Sequence, residues 1–381
     1  MPDLFSFAFA SRPVPDPPTP RAPAAYLWFG CDLVTGTIVE ELPFVASGPL
    51  QSLLGAYTSG GGELTLADCP PNWERATDPM RTMLVCVRAD DLVPLWAGIV
   101  LGRKGGSANT VTLPLATLES YYDRRFVGDL AEVNRNAAQV LIDLFYSVDH
   151  INGLGLQYAV GTSSETVTRT YTDVSDQTVY SQATELMASS GPEWTIEIRW
   201  NATRTGFDKF LRARDRIGTA SATPRAVFDM PGCVTAYEFS EDYTSSKGAN
   251  HITMFGDGEG DTRPTSGPQD ATALIAAGWP RVEYRATRSG VVEVPTLIDH
   301  ALSQLAWKAK GAQIFTVTAN ATDGPLLGVD WFLGDDIAVD VAWSPRHPNG
   351  ITTRARAIGW ELDTTGAGTV TPLLQEESDD A

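Results

Sequence analysis

CVTAYEFSEDYTSSKGANHITMFGDGEG, residues 233–260, holds two strand-like runs and no catalytic signature. Val234 to Phe239 alternates in β fashion and carries aromatics, and Ser240 to Asn250 is a polar turn broken by Gly248. His251 to Phe255 is a second short strand that runs into Gly256-Asp257-Gly258-Glu259-Gly260. Counted from Asp257, an EF-hand calcium loop needs glycine at its sixth place and a bidentate acid at its twelfth, where Thr262 and Pro268 stand. A looser calcium site stays open, but a glycine-permitted loop at a subunit contact is the better account. Gly256, Gly258 and Gly260 are the residues that would make that contact.

Outward from this stretch the chain is mostly β. Upstream, YLWFGCDL and TIVEEL flank a hairpin signal at Val34-Thr35-Gly36, and Gly60-Gly61-Gly62 precedes the alternating ELTLADC. MLVCVRADDLVPLWAGIVLGRK reads as two strands around Asp90-Asp91, with NTVTLPLATL as another. Short strands so spaced suggest a small barrel or sandwich over 25–128. The period then changes. Ala137, Val140, Leu141, Leu144, Phe145 and Val148 share one face at 3.6 spacing, which predicts an amphipathic helix. A second helix is expected from about Gln177 to Ser189, capped by Ser175 or Asp176 and stopped by Gly191-Pro192. EWTIEIRW then places Trp194, Ile196, Ile198 and Trp200 on one face of a strand. Residues 129–225 therefore read as an α+β domain.

Downstream, 226–260 and 311–367 read as a second β domain, with AQIFTVTA, IAVDVAW and TTRARAIGWELDT as its strands. Residues 261–310 read as an inserted strand-helix domain: PRVEYRATRSGVVEV is β-like, Pro295 suits a first helical turn, and Leu297, Ala301, Leu305 and Ala309 line one helix face. Residues 1–24 end in SRPVPDPPTPRAPA, whose prolines favour an extended arm, either a disordered leader or a strap across a neighbouring subunit. Residues 368–381, with LLQEESDDA, read as an acidic, frayed C-terminal tail.

A chain of 381 residues exceeds the size at which single cores stop growing. Its formal net charge of −19 argues against a grip on nucleic-acid phosphates, which needs clustered Lys and Arg. It fits acidity kept for solubility, or a surface past which a polyanion slides. Arg103-Lys104, Arg124-Arg125 and Lys209 to Arg214 are short basic spots, better read as solvated faces or ion-pair partners. Cys31, Cys69, Cys86 and Cys233 form no CxxC pair and have no histidine at ligand spacing, so they are expected as buried thiols of a protein folded in a reducing cytoplasm. No basic-then-apolar leader opens the chain and no apolar run approaches the ~20 residues of a membrane helix, so a soluble protein with no membrane anchor is expected.

No catalytic constellation is legible. There is no GxSxG, HExxH or GxxxxGK[ST] pattern, and Tyr158 stands where a dinucleotide loop opened by Gly153-Leu154-Gly155 needs its third glycine. His150, His251, His300 and His347 are far apart. Asp335-Asp336 read as a turn before a strand, and no two acids stand out as a glycosidase pair. Ten Trp could furnish sugar platforms, but Trp194, Trp200 and Trp360 sit in alternating strand patterns that fit core packing. No enzyme activity, cofactor or metal is expected.

Four ordered segments carry a resemblance. They are YLWFGCDLVTGTIVEELPF (26–44); LVCVRADDLVPLWAGIVLGRK (84–104) with VTLPLATLESYYDRRFV (111–127); YEFSEDYTSSKGANHITMFGDGEGD (237–261); and GVDWFLGDDIAVDV (328–341) with RARAIGWEL (354–362). Together they resemble the minor tail proteins of long-tailed actinobacterial phages, the tail-tip (baseplate) hub family. The resemblance implies two tail-tube-like β-barrel or sandwich domains with smaller α+β domains, and a homotrimer whose six tube-like domains would dock on a hexameric tail tube. It implies as partners the distal tail or tail tube protein, the tape measure protein and central spike or fibre proteins. Genomic DNA would pass without specific binding. The place implied is the tail tip of a virion assembled in the host cytoplasm. The chain departs from the family in lacking a long C-terminal extension with a lysozyme, peptidase or fibre domain. Trp331 and Phe332 join the three glycines as expected subunit-contact anchors. The rival expectations are a tail-associated cell-wall hydrolase and a carbohydrate-binding β-protein.

Overall fold

A computed structural model describes residues 25–161, 163–244, 247–256, 258, 260–288, 293–366 and 368–376. The arm expected over 1–24, the last residues of the tail, and Asp257 and Glu259 lie outside the described residues. Among the described residues no helix is long and apolar enough to cross a membrane.

β1 (Tyr26–Asp32) and β2 (Ile38–Glu41) form the expected hairpin, followed by β3 (Phe44–Ala46), β4 (Leu50–Leu53) and β5 (Ser59–Thr65). A single turn, α1 (Trp73–Ala76), leads to β6 (Thr82–Arg88), β7 (Val93–Val100), β8 (Lys104–Gly105) and β9 (Thr110–Thr117). β6 is buried along its whole length, with Leu84 and Cys86 in one core and Met83, Val85 and Val87 in another. A strand covered on both faces needs such an unbroken apolar run. The sheet order is β2-β1-β6-β7-β9-β5-β3. Its first and last strands are consecutive in the chain, separated by Leu42 and Pro43 alone, so the sheet curls into a barrel with its seam at that point.

The α+β module contains β10 (Leu130–Asn136), α2 (Ala137–Asp149), β11 (Gln157–Val160), β12 (Thr166–Tyr171), α3 (Val179–Ser190), β13 (Glu193–Trp200) and β14 (Phe207–Arg214). Every residue of the predicted α2 stripe is buried. α3 is capped by Thr178, whose hydroxyl accepts from the Ser181 N–H at 3.1 Å. Ser175 and Asp176 do not cap it, because they end a separate turn in which Asp176 adopts φ 49°. The Asp149 carboxylate is buried at the end of α2. It accepts from the Leu154 and Leu156 amides at 2.7 and 2.9 Å and from the Tyr122 and Tyr158 hydroxyls at 2.7 and 3.2 Å. A buried charge is tolerated when so fully hydrogen-bonded.

The second sheet contains β15 (Ala226–Met230) and β16 (Val234–Asp242). An insert follows with β17 (His251–Phe255), β18 (Gln269–Asp270), α4 (Thr272–Ala276), β19 (Glu283–Thr287) and α5 (Val294–Lys308). β20 (Ala312–Asn320), β21 (Asp336–Val341), β22 (Ile351–Leu362) and β23 (Thr369–Glu376) complete the sheet, in the order β15-β21-β22-β23-β20-β16.

Several expected boundaries move. β16 and β17 do not pair with each other: β16 lies beside β20, whereas β17 pairs with β18 and β19. The insert thus begins near Tyr243, not at 261, since Ala249, Ile252 and Met254 share a core with Leu297, Ala301 and Leu305. Val294 opens α5 instead of closing a strand. The tail expected from 368 enters the second sheet as β23, between β22 and β20, with Val370 buried. β4, counted with the first domain, pairs with β22 of the second.

The two sheets share a plan. β15 and β16 are consecutive, like β2 and β3, and lie at opposite edges of their sheet. β20, β21, β22 and β23 then occupy the places of β5, β6, β7 and β9, and all corresponding pairs are antiparallel. The first barrel has one extra strand, β1, antiparallel to both β2 and β6. Removing it would leave β2 parallel to β6, which is how β15 lies on β21. The connection β3–β5 corresponds to β16–β20; the first holds β4, the second holds the whole insert.

The hairpin tip between β1 and β2 joins the first barrel to the α+β module. Gly36 has φ +71°, and a Cβ built there falls 1.8 Å from the carbonyl oxygen of Phe207. The Gly36 carbonyl accepts from the Phe207 N–H at 2.9 Å. Gly36→Ala is expected to cost roughly 1–3 kcal/mol through the strained φ and the lost approach. A lowered urea midpoint at unchanged slope checks this.

Candidate assembly interface

The sequence-selected contact residues divide on inspection. Gly256 is buried: its N–H donates to the Pro264 carbonyl at 2.9 Å and its own carbonyl accepts from Arg263 Nε at 2.9 Å. Gly258 and Gly260 are exposed on the same loop, with φ +144° and +61°. Trp331 is fully buried, its indole edge-on to Phe228 at 5.7 Å and donating to the Pro325 carbonyl at 3.1 Å. It belongs to the core of the second barrel, whereas Gly256 is buried in the insert, and neither presents a surface to a partner, contrary to expectation. Phe332, next along the chain, is 45% exposed. The glycine loop follows β17 of the insert and Phe332 lies in the β20–β21 connection, so the two sit on different modules.

What the sequence did not reveal is a polar seam joining three modules. On β22, Arg356 is buried and grips Glu193 of β13 with both terminal nitrogens at 2.5 Å. It also donates to the carbonyls of Gly334 at 3.1 Å and Ile217 at 2.8 Å. Asp335 accepts from the Thr219 and Phe332 amides at 2.7 and 2.9 Å, and Asp336 pairs with Arg216. The expected turn at Asp335-Asp336 is there, and its carboxylates bind the 215–225 linker. β4 adds backbone pairing to β22, and Gln51 accepts the Trp96 indole N–H at 3.0 Å. Arg356 could be missed because RARAIGWEL alternates like any strand; nothing local names a partner 163 residues away.

Beside this seam lies a groove of about 610 Å3 lined by β7, β13, β14 and the 325–335 connection. Leu95, Ile196, Ile198 and Leu333 form apolar lining, and Arg199, Arg212, Arg214, Arg225 and Phe332 also line it. Glu197 pairs with both Arg199, at 2.7 Å, and Arg212. Glu119 is buried at the groove and accepts from the Ile196 N–H at 3.2 Å; burial pushes its carboxyl above the ordinary value of 4.5. Three acids line one groove, but Glu197 is held between guanidinium groups, Glu119 by a strand amide and Asp335 by the Thr219 and Phe332 amides, an arrangement suited to structure rather than proton delivery.

Elsewhere, His251 sits 2.6 Å from Asp270, His347 2.8 Å from the Tyr237 hydroxyl, and His150 2.6 Å from the Tyr146 carbonyl. These are separate pairs, and no group of three metal-ligating side chains forms among the described residues. The four cysteines are free thiols; Cys31, Cys86 and Cys233 are buried, and Cys69 is half-buried. Burial pushes the Cys31 thiol up to about 12 and Cys233 up to about 11. Trp194 and Trp360 are buried, as their strand positions suggested.

No family model and no curated protein matches the chain. Solved structures do. A tail protein from Neisseria meningitidis is 15% identical, with a TM-score of 0.61, over 92% of this chain and 97% of its own. The 43 kDa tail protein of prophage MuSo2 from Shewanella oneidensis has a TM-score of 0.61 at 10% identity, over 92% and 98%. A prophage tail protein from Listeria monocytogenes has a TM-score of 0.53 at 10% identity, over 93% and 95%. The mainly β architecture with small helical modules is thus the fold of these tail proteins.

Two outcomes are expected at the seam. Arg356→Met should cost about 3–5 kcal/mol by stranding Glu193, and adding Glu193→Leu should restore much of that loss; denaturant titration of both variants checks it. Glu119 has a raised folded-state pKa, so the stability tied to its neutral form is full below 4.5 and lost as pH rises through the folded value. Glu119→Gln should therefore gain on the parent as pH rises from about 4 to 8, and a difference that stays flat across that range would refute it.

Proposed function

We propose that this chain is a structural protein of a phage tail, three copies of which close into the hub at the tail tip. The hub joins the distal tail tube and tape measure to spike or fibre proteins and surrounds the path of the DNA. The shared plan of the two barrels carries this reading. A trimer of a chain with two like barrels presents six, which can match a hexameric tube although only three chains are present. The fold likeness to three tail proteins, two of them from prophages, over more than nine-tenths of each chain supports the tail assignment. The seam and β4 supply what a ring subunit needs, a fixed angle between its barrels.

Charge gives the channel its physical content. Three copies at −19 each carry −57, and an acidic wall repels phosphates instead of trapping them. Exposed Gly258, Gly260 and Phe332 are the surviving subunit-contact candidates. The chain is read as non-enzymatic, assembled in the host cytoplasm and resident in the virion.

Light scattering of the purified chain, alone and with its tail-tube protein, is the test. A mass three times that of the chain is expected, with acids outnumbering bases along the axial wall of the assembled ring. A monomer under both conditions would sink the hub reading, and a basic wall would remove the repulsion argument alone. Release of peptidoglycan fragments by the pure chain would favour a cell-wall hydrolase.

A further inference from the structure

The groove between β7, β13, β14 and the 325–335 connection is lined by four arginines, Arg199, Arg212, Arg214 and Arg225, against three acids, Glu119, Glu197 and Asp335. Arg212 and Arg199 share Glu197. Arg214 stands two residues after Arg212 on β14, on the same face, and its Nε is buried without a hydrogen-bond partner. Burial first, and then the neighbouring Arg212, push its pKa down, with Glu197 opposing them. Arg225 is exposed; its Nε donates to the Asp330 carbonyl at 3.0 Å and its guanidinium lies 5.9 Å from the Phe332 ring. Neither Arg214 nor Arg225 has a carboxylate of the described residues within ion-pair distance. Of the three acids, Glu119 is buried on the Ile196 amide and Asp335 is held by the Thr219 and Phe332 amides, which leaves Glu197 as the carboxylate paired with arginine among the described residues.

We infer that this arginine groove receives an acidic, apolar-tipped segment of a second copy of the chain, and that it is the attractive contact that lets the copies associate. The inference rests on the trimeric reading and assigns it a surface. Copies that each carry −19 repel one another, so a ring of them needs a local positive site facing a negative one. The groove supplies it, and the other copy has acids in excess, 47 against 28 bases. Leu95, Ile198 and the exposed Phe332 ring give the segment an apolar floor, and the arginines give planar bidentate donors for its carboxylates. A buried Nε with no internal acceptor is completed by such a carboxylate.

The test compares full-length parent protein with Arg225→Glu, Arg214→Glu and the milder Arg214→Gln. Arg204→Glu, an exposed arginine on the β13–β14 turn, is the control. Denaturation midpoints first establish that each variant is folded. Sedimentation across protein concentration should then show association weakened on the order of 10–100-fold by the groove variants and unchanged by Arg204→Glu. If the parent trimerises and the folded groove variants trimerise equally well, the groove inference is overturned while the hub reading stands. If they trimerise but no longer join the tail-tube protein, the occupant is that protein and not a second copy. A parent that stays monomeric with and without the tube protein overturns both.

Discussion

Arg356 is the side chain on which the arrangement of the molecule depends. Its guanidinium, a planar fork of five N–H donors, is buried at the meeting point of three modules. It is satisfied by Glu193 from β13, by the Gly334 carbonyl ahead of β21, and by the Ile217 carbonyl of the linker. None of these partners belongs to its own strand. Losing Glu193 while the modules stay packed would strand a charge in a site without water, which costs several kcal/mol. A buried ion pair is weak evidence for extra stability, because two apolar side chains could fill the space as well. What it adds is direction: apolar faces slide, but a bidentate fork accepts one alignment.

That alignment has a consequence for the barrels. β4 leaves the first barrel and pairs with Gly359–Leu362 at the end of β22, the strand that carries Arg356 at its middle. Backbone ladder and ion pair therefore act on the same strand, and the cores of the two barrels merge across Leu50, Trp96 and Trp360. The second face of the first barrel is closed by α2, α3 and β13 through a separate core. The α+β module is thus a bracket: it packs on one barrel through apolar surface and grips the other through Glu193.

Much of this was written locally and some of it was not. The α2 stripe, the β6 run and the Gly36 turn each follow from a period or a backbone preference within a dozen residues, and each stands where expected. Period 2 says that a stretch is a strand but not which sheet it joins. For that reason HITMF reads as a strand but not as a member of the insert, where it pairs with β18 and β19. The acids that end the chain make residues from 368 on read as a frayed tail and conceal the strand Thr369–Glu376, which seats Val370 and Pro372 against Leu362 and Trp360 of β22. Trp331 illustrates a third limit. An aromatic beside a turn reads as an exposed anchor, and only the closed barrel shows that the turn folds inward and offers its indole the Pro325 carbonyl. Lys209 to Arg214 reads as a solvated face or as ion-pair partners, and Arg212 does pair with Glu197, but the groove is not legible there because its other members arrive from β13 and from Arg225.

The shared plan of the barrels also explains why the insert is tolerated where it is. The β3–β5 connection in the first barrel is short and given over to β4. The equivalent β16–β20 connection in the second has become a unit with its own core, built on β17 and α5. An insertion this long leaves a barrel intact when its two ends meet, since loop closure then adds little to the entropy lost. They do meet. The Tyr243 hydroxyl donates to the Ala309 carbonyl at 2.6 Å, and its ring lies against both Gly248 and Gly311, where any side chain would collide with it. β16 and β20 are thereby clamped at the point where the insert leaves and returns. The barrel keeps its register, and the insert folds on its own hydrophobic terms without altering the part of the chain that repeats.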